Sequence, residues 1–226
     1  MSEAVSENGE RRPRLTRERV IQAALSVADS GGLGSFTIRS LAKELGAKPM
    51  SVYYHVANKD EILAALVDIV FSEIQLPVPG GGWRSEMRKR ACSAREVLGR
   101  HRWAIGLLES RTDPGPANLR HHDTVIATLR GAGFSAELTA HAYALIDSYV
   151  YGSALQEAAL PFQGPDRDGN VVESIMKRMT EGEYPHLVHM ATSYYLQPGY
   201  DFGDEFLFGL DLILDGLARA LGPEPG

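Results

Sequence analysis

Four runs of helical periodicity follow one another from residue 15 to residue 74, three of them opened by a residue that caps helices well. Leu15 precedes Thr16, a good N-cap, and Val20 stands where it can staple back onto Leu15. Val20, Ile21, Ala24, Leu25 and Ala28 keep the spacing of one helix face until Gly31-Gly32 stop it. Phe36-Thr37 repeats the device, with Thr37 as cap and Phe36 stapled to Leu41, and a second helix runs to about Leu45. Gly46 can supply a left-handed turn, and Pro49 suits the first position of a third helix that ends near His55. Asn58 and Glu61 form a capping-box pattern for a fourth, apolar at Ile62, Leu63, Leu66, Ile69, Val70 and Ile74. Together these runs predict one compact helical unit.

The remainder continues in the same period. Pro77 to Gly82 reads as a loop, and helices are expected near 83–99, 102–110, 116–131, 135–159, 171–181, 186–196 and 203–221. Pro161 to Asn170 is the expected loop of the second half. No useful stretch alternates with period two, so the expected class is all-α. The predicted organisation is a polar flexible arm over 1–13, a three-helix helix-turn-helix domain over 14–62, and a larger effector-binding and dimerisation domain over 63–226. The single cysteine, Cys92, excludes an intramolecular disulfide and a multi-cysteine zinc site. With no long uncharged apolar stretch and a polar N-terminus, the chain reads as cytoplasmic, with no membrane partner.

Charge is unevenly spread. The net charge is −6, yet the segment from Arg11 to Asp60 holds nine Lys/Arg against four Asp/Glu. A basic module on an acidic body can approach phosphates while the rest is kept off the DNA. Within that module, Thr37 to His55 is a helix-turn-helix candidate: Ala42 is small where two helices cross, Gly46 permits the turn, and Leu41, Leu45 and Val52 face the core. The short helix beginning at Pro49 then presents its other side, a shape that enters the major groove. The expected DNA-binding residues are Arg39, Lys48, Pro49, Met50, Ser51, Tyr53, Tyr54, His55 and Lys59. Of the two tyrosines, one ring is expected to be half-buried while the other hydroxyl reaches a phosphate.

Helix one, the Phe36-Thr37-Ile38-Arg39 entry, the Leu45-Gly46 turn, Tyr53-Tyr54-His55-Val56 and Asn58-Lys59 resemble the N-terminal domain of the TetR family of repressors, without a gap over 15–62. Trp83, His101-Arg102, Gly133-Phe134-Ser135 and the tail from Phe206 to Leu217 resemble, more loosely, the C-terminal domain of its tetracycline-repressor branch. The resemblance implies an all-helical Ω-shaped homodimer whose two heads sit in successive major grooves of a palindromic operator. It also implies release of double-stranded DNA by a small-molecule inducer. Tetracycline repressors chelate a drug-bound magnesium through histidines, but the matching stretches here offer Gln75 and Leu108, with Arg90 and Ala94 at other drug-contact positions. The expected effector is therefore another apolar or aromatic metabolite or antibiotic, and no cofactor or protein-bound metal is expected.

Two helices suit a dimer interface. The last has an apolar stripe of Phe206, Leu210, Ile213, Leu214, Leu217 and Leu221, with Gly209 and Gly216 seven apart on nearly one face. Two glycines cost about 1 kcal/mol each in a helix, which close approach of another helix would offset. The helix at 135–159 offers Ala144, Ser148, Gly152 and Leu155 as a matching surface. For the effector, Phe71, Trp103, Leu107, Tyr143, Asp147, Tyr151, Gln156 and Met176 form the candidate lining as a set, though each taken singly fits an ordinary core better than a ligand contact. The chain is read as no enzyme. The alternative is a helical small-molecule-binding protein or a metal-dependent enzyme without operator binding. His121-His122-Asp123 and the pair His186 and His189 can be drawn as metal ligands, but they lack a recognised spacing such as H-E-x-x-H.

Overall fold

The computed structural model describes residues 14–108, 114–160, 173–174, 177–178 and 184–222. It is helical throughout, with no strand among those residues. The chain divides into two compact units, Met1–Leu66 and Val67–Gly226. The expected arm over 1–13, the loop Pro161 to Asn170 and most of the helix expected at 171–181 lie outside the described residues.

The first unit holds α1 (Arg17–Ser35), α2 (Ile38–Glu44), α3 (Pro49–Tyr53) and the beginning of α4 (Lys59–Glu73). Thr16 caps α1 by accepting the Arg19 N–H, and the backbone leaves helical geometry at Gly32, where φ is 64°. A last turn continues to Ser35 beyond that break. Thr37 and Ser40 cap α2 reciprocally: Thr37 Oγ1 accepts from the Ser40 N–H at 3.0 Å, and Ser40 Oγ from the Thr37 N–H at 2.9 Å. After α2 the Ala47 N–H reaches the Ala42 carbonyl while the Gly46 N–H reaches Lys43, a Schellman closure that requires the left-handed residue at Gly46 (φ 60°). Lys48 then precedes Pro49, the first residue of α3. At α4 the capping differs from the expected box. Asn58 Oδ1 accepts the Glu61 N–H, but the Glu61 carboxylate takes the Ala57 N–H and the Arg17 guanidinium, tying α4 to α1. Val20, Ala24, Phe36, Leu41, Val52, Ile62 and Leu66 form the core.

The second unit is built on α5 (Trp83–Arg100), α6 (Pro116–Gly131), α7 (Ala136–Ala159), α8 (Pro185–Met190) and α9 (Phe202–Leu221). The helix expected over 102–110 is instead a 3-10 turn at Arg102–Ala104 followed by further turns to Leu108; residues beyond lie outside the described set. The helix expected at 186–196 loosens into a π-turn over Ala191–Tyr195. Alanines on α5 (Ala91, Ala94) and on α7 (Ala142, Ala154) are buried, and these two helices pack against each other. Asp68, on the α4 segment of this unit, supplies the cap that α6 lacks in its own sequence. Its Oδ1 accepts the Ala117 and Asn118 N–H groups at 2.9 and 3.0 Å.

The stripe on α9 differs from its expected role. Phe206, Leu210, Leu214 and Leu217 are buried within the subunit, so they cannot serve a partner chain. Gly209 is needed inside the subunit as well: a Cβ there would overlap the hydroxyl of Tyr149, which donates to the Glu205 and Phe206 carbonyls. Gly216, by contrast, has nothing within 4 Å of where a Cβ would stand. The Gly209→Ala substitution is therefore expected to destabilise the folded subunit by about 1–3 kcal/mol through overpacking. Adding Tyr149→Phe should relieve much of that loss. Thermal or urea unfolding of the two variants decides it, and an unaltered Gly209→Ala protein would refute the close approach.

Candidate DNA-reading and effector sites

The α2–α3 turn places a five-residue helix on the surface with only Val52 buried. Lys48, Pro49 and Met50 are exposed, Met50 to 69%, and Ser51 and His55 are half-buried. Tyr54 is 85% exposed and Tyr53 45%, so of the two tyrosines Tyr53 is the one that sits about half in. Folding alone does not explain three large apolar or aromatic side chains on so short an element. Arg39 is exposed in the first turn of α2. Lys59 has a structural task too: its ammonium donates to the Phe36 carbonyl at 3.0 Å and lies 5.4 Å from the Phe36 ring centre. Leu45, expected in the core, is only half-buried.

In the second unit the most unusual group is Arg90, 2% exposed in the middle of α5. A buried guanidinium requires a counter-charge and acceptors. Asp147 on α7, itself 5% exposed, provides the charge at 2.6 Å from Nη1, although the contact is off the hydrogen-bond direction. His121 on α6, fully buried, accepts from Arg90 Nε at 3.0 Å through Nε2. Because a guanidinium only donates, Nε2 carries the lone pair and Nδ1 carries the hydrogen. Burial, then the adjacent Arg90 charge and then His122, push His121 from 6.5 down to about 3, so it stays neutral. Aromatic faces surround the cluster. Phe71 lies 5.3 Å from His121 and 5.6 Å from His122, and Tyr143 lies 5.4 Å from His122 and 6.0 Å from the Arg90 guanidinium. The Tyr143 hydroxyl also touches His122 Nδ1.

Of the lining read from sequence, the fold gathers Phe71, Tyr143 and Asp147 into this cluster. Tyr151 is one turn past Asp147 on α7, half-buried with its hydroxyl oxygen inside. Trp103 is buried in the 3-10 turn, 6.0 Å from the His101 ring, with Leu107 half-buried after it. Gln156 is exposed on α7, and Met176 lies outside the described residues. Arg90, His121, His122 and Asn118 were absent from that lining. The histidine pair is visible as a sequence feature, but only the fold turns His121 towards Arg90 and His122 towards Tyr143. Among the described residues no group of three His, Cys, Asp or Glu is placed to hold a metal ion. Leu108 is a buried hydrocarbon, unable to ligate one.

Comparison with known proteins bears on both sites. Residues 20–66 match the family of bacterial regulatory proteins named tetR, and residues 76–221 match the tetracyclin repressor-like C-terminal domain. An HTH-type transcriptional regulator of Saccharopolyspora erythraea is 31% identical over 214 residues, spanning 94% of this chain and 89% of the relative. The HTH-type transcriptional repressor DrrR1 of Streptomyces coeruleorubidus is 32% identical over 217 residues, 91% of this chain and 78% of that protein. The crystal structure of ActR from Streptomyces coelicolor in complex with actinorhodin superposes with a TM-score of 0.74 at 28% identity, covering 93% of this chain and all of that one. The relatives are transcriptional regulators, a non-enzyme class, and proteins of this kind bind operator DNA, dimerise and bind small molecules. No helix among the described residues is long and apolar enough to cross a membrane. With both family profiles matched in order along one chain, this protein is a ligand-responsive transcriptional regulator and belongs to the tetR family.

Proposed function

We propose that the chain is a repressor that reads a two-fold symmetric operator through α3, one copy from each subunit of a homodimer, and releases it when a small molecule enters the α5–α6–α7 core. The domain roles follow the chain: helix-turn-helix head over 14–62, effector and dimer body over 63–226. The exposure of Met50, Tyr53 and Tyr54 on α3 is the observation that carries the reading. Lys48 and Arg39 supply phosphate contacts, Lys59 a further one through the donors that Phe36 does not use, and Pro49, Met50, Ser51, Tyr53, Tyr54 and His55 line the face that meets the bases and backbone. One five-residue helix reads too few bases to be selective. Two heads about 34 Å apart read a palindrome.

The dimer face on α7 and α9 is the exposed side. Leu145, Leu155, Phe208 and Leu212 are 47%, 60%, 68% and 57% exposed, beside exposed Ala144 and Ser148 and the open Gly216. Two helices from each subunit joined there make a four-helix interface. The effector site comprises Phe71, Tyr143 and Asp147, with Trp103, Leu107, Tyr151, Gln156 and Met176 as further lining candidates. Movement reaches the head along α4, a single helix that runs from Lys59 through Phe71 and whose Asp68 holds the first turn of α6. The effector differs from tetracycline, because Gln75 and Leu108 supply no histidine for its magnesium.

A mobility-shift titration against the chain's own upstream DNA tests the reading. Alanine at Lys48, Ser51 and Tyr54 together is expected to weaken specific binding by at least about tenfold, with unfolding behaviour unaltered; full affinity in that variant would reject α3 as the reading helix. Phe208→Glu with Leu212→Glu is expected to give a folded monomer in sedimentation, and a persisting dimer would place the interface elsewhere. Acid supplies a third check. His121 takes up a proton far more readily unfolded, near 6.5, than folded, near 3, so stability is complete above about 6.5 and falls between those values. The expected contribution is up to about 1.4 kcal/mol per pH unit in that window, and it should vanish in His121→Phe. An equal slope in both proteins would mean that His121 is not buried neutral.

A further inference from the structure

We propose that Met50 is a specificity-determining residue of the reading head, packing against the C5 methyl that thymine and 5-methylcytosine carry into the major groove. This rests on the reading of α3 given above and names the base chemistry that the helix selects. Burial supplies the first argument. Only Val52 of α3 is buried, and Met50 is 69% exposed. Met87 is fully buried and Met190 is 40% exposed, so no other described methionine stands so far into solvent. A long unbranched thioether held out in water gains free energy when an apolar surface covers it, and its flexibility lets it adapt to that surface.

Hydrogen-bonding capacity narrows the partner. Base pairs differ in the major groove by their donors and acceptors and by the thymine methyl. From Pro49 to His55 there is no Arg, Lys, Asn, Gln, Asp or Glu, the residues that fix a base through a directed pattern of donors or acceptors. Pro49 has neither a polar side-chain atom nor an N–H, and the Met50 sulfur is only a weak acceptor. Ser51, Tyr53 and Tyr54 carry hydroxyls, which rotate to donate or to accept and so distinguish one base edge from another poorly. His55 is half-buried past the end of the helix. What the exposed side of α3 offers instead is apolar contact, and a C5 methyl is the apolar group that a base pair presents in that groove. Cytosine methylated at C5 carries the same group at the same ring position, so methylation of a cytosine in the operator is read as a gained contact.

Competition mobility shifts with the full-length protein test this on the duplex that it selects from a random-sequence pool. Each buried methyl is worth about fourfold in affinity. Uracil in place of every thymine, which deletes only methyl groups, is therefore expected to cost at least about fourfold, and about fifteenfold where both half-sites lose a contact. In Met50→Ala the uracil penalty should fall below about twofold, while Met50→Leu should keep it. A change in duplex stiffness is common to all three proteins and cancels in that comparison. The side chain is exposed, so both variants fold. Substitution of one thymine at a time locates the contact, and at that position 5-methylcytosine is expected to bind about fourfold tighter than cytosine. Equal affinity for thymine and uracil duplexes, an undiminished penalty in Met50→Ala, or no gain from cytosine methylation would overturn the proposal. The reading of α3 is judged separately: it fails if alanine at Lys48, Ser51 and Tyr54 leaves selection of the duplex intact, whatever the uracil series shows. A pool that yields no preferred duplex would overturn both.

Discussion

A guanidinium taken fully out of water sets the terms for the second unit. Arg90 cannot shed its charge, so the helices around it must answer that charge from within. Asp147 comes from α7 and His121 from α6, so one side chain on α5 fastens three helices at a single point. Breaking a buried pair by removing one partner typically costs about 3–5 kcal/mol, whereas a well-packed apolar trio would serve stability equally well. A polar centre is thus a poor choice for stability alone. It is a sensible one where the interior must recognise something polar.

The same cluster is linked mechanically to α4. Phe71 lies against both histidines, and Asp68, one turn earlier on that helix, holds the N-terminus of α6 through two backbone hydrogen bonds. Gly115 precedes that turn because the Asp68 carboxylate occupies the space a Cβ would need. The first turn of α6, the helix that carries Asn118 and His121, is thus anchored to α4. A shift in population follows only to the extent that the ligand distinguishes two arrangements of this contact.

The first unit is stabilised differently. Its caps are local and close their own helix ends, and its core is purely apolar. Val52 alone is buried on α3, so the core of this unit leaves the other residues of that helix outside it. On α9 the division runs along the helix axis. One side, with Phe206 and Leu210, completes the subunit, while Phe208 and Leu212 remain outside.

How much of this was legible before the fold was known depends on sequence separation. Thr16, Thr37, Gly46 and Asn58 announce helix ends because capping acts over three to five residues, a range that sequence displays directly. The class and the short surface helix α3 follow from such local rules. What local rules leave open is which partner a periodic face meets. The α9 stripe was equally compatible with its own subunit and with a second one, and Tyr149 settles Gly209 from 60 residues away. Arg90 and His121, 31 residues apart, and Asp147 on a third helix become one site only when packing brings them together. Sequence by itself thus determined the helical class and most of the elements, with the capped ends of the first unit; the tertiary structure alone decided which polar groups lose water together, because desolvation depends on every neighbour in space and not on those along the chain.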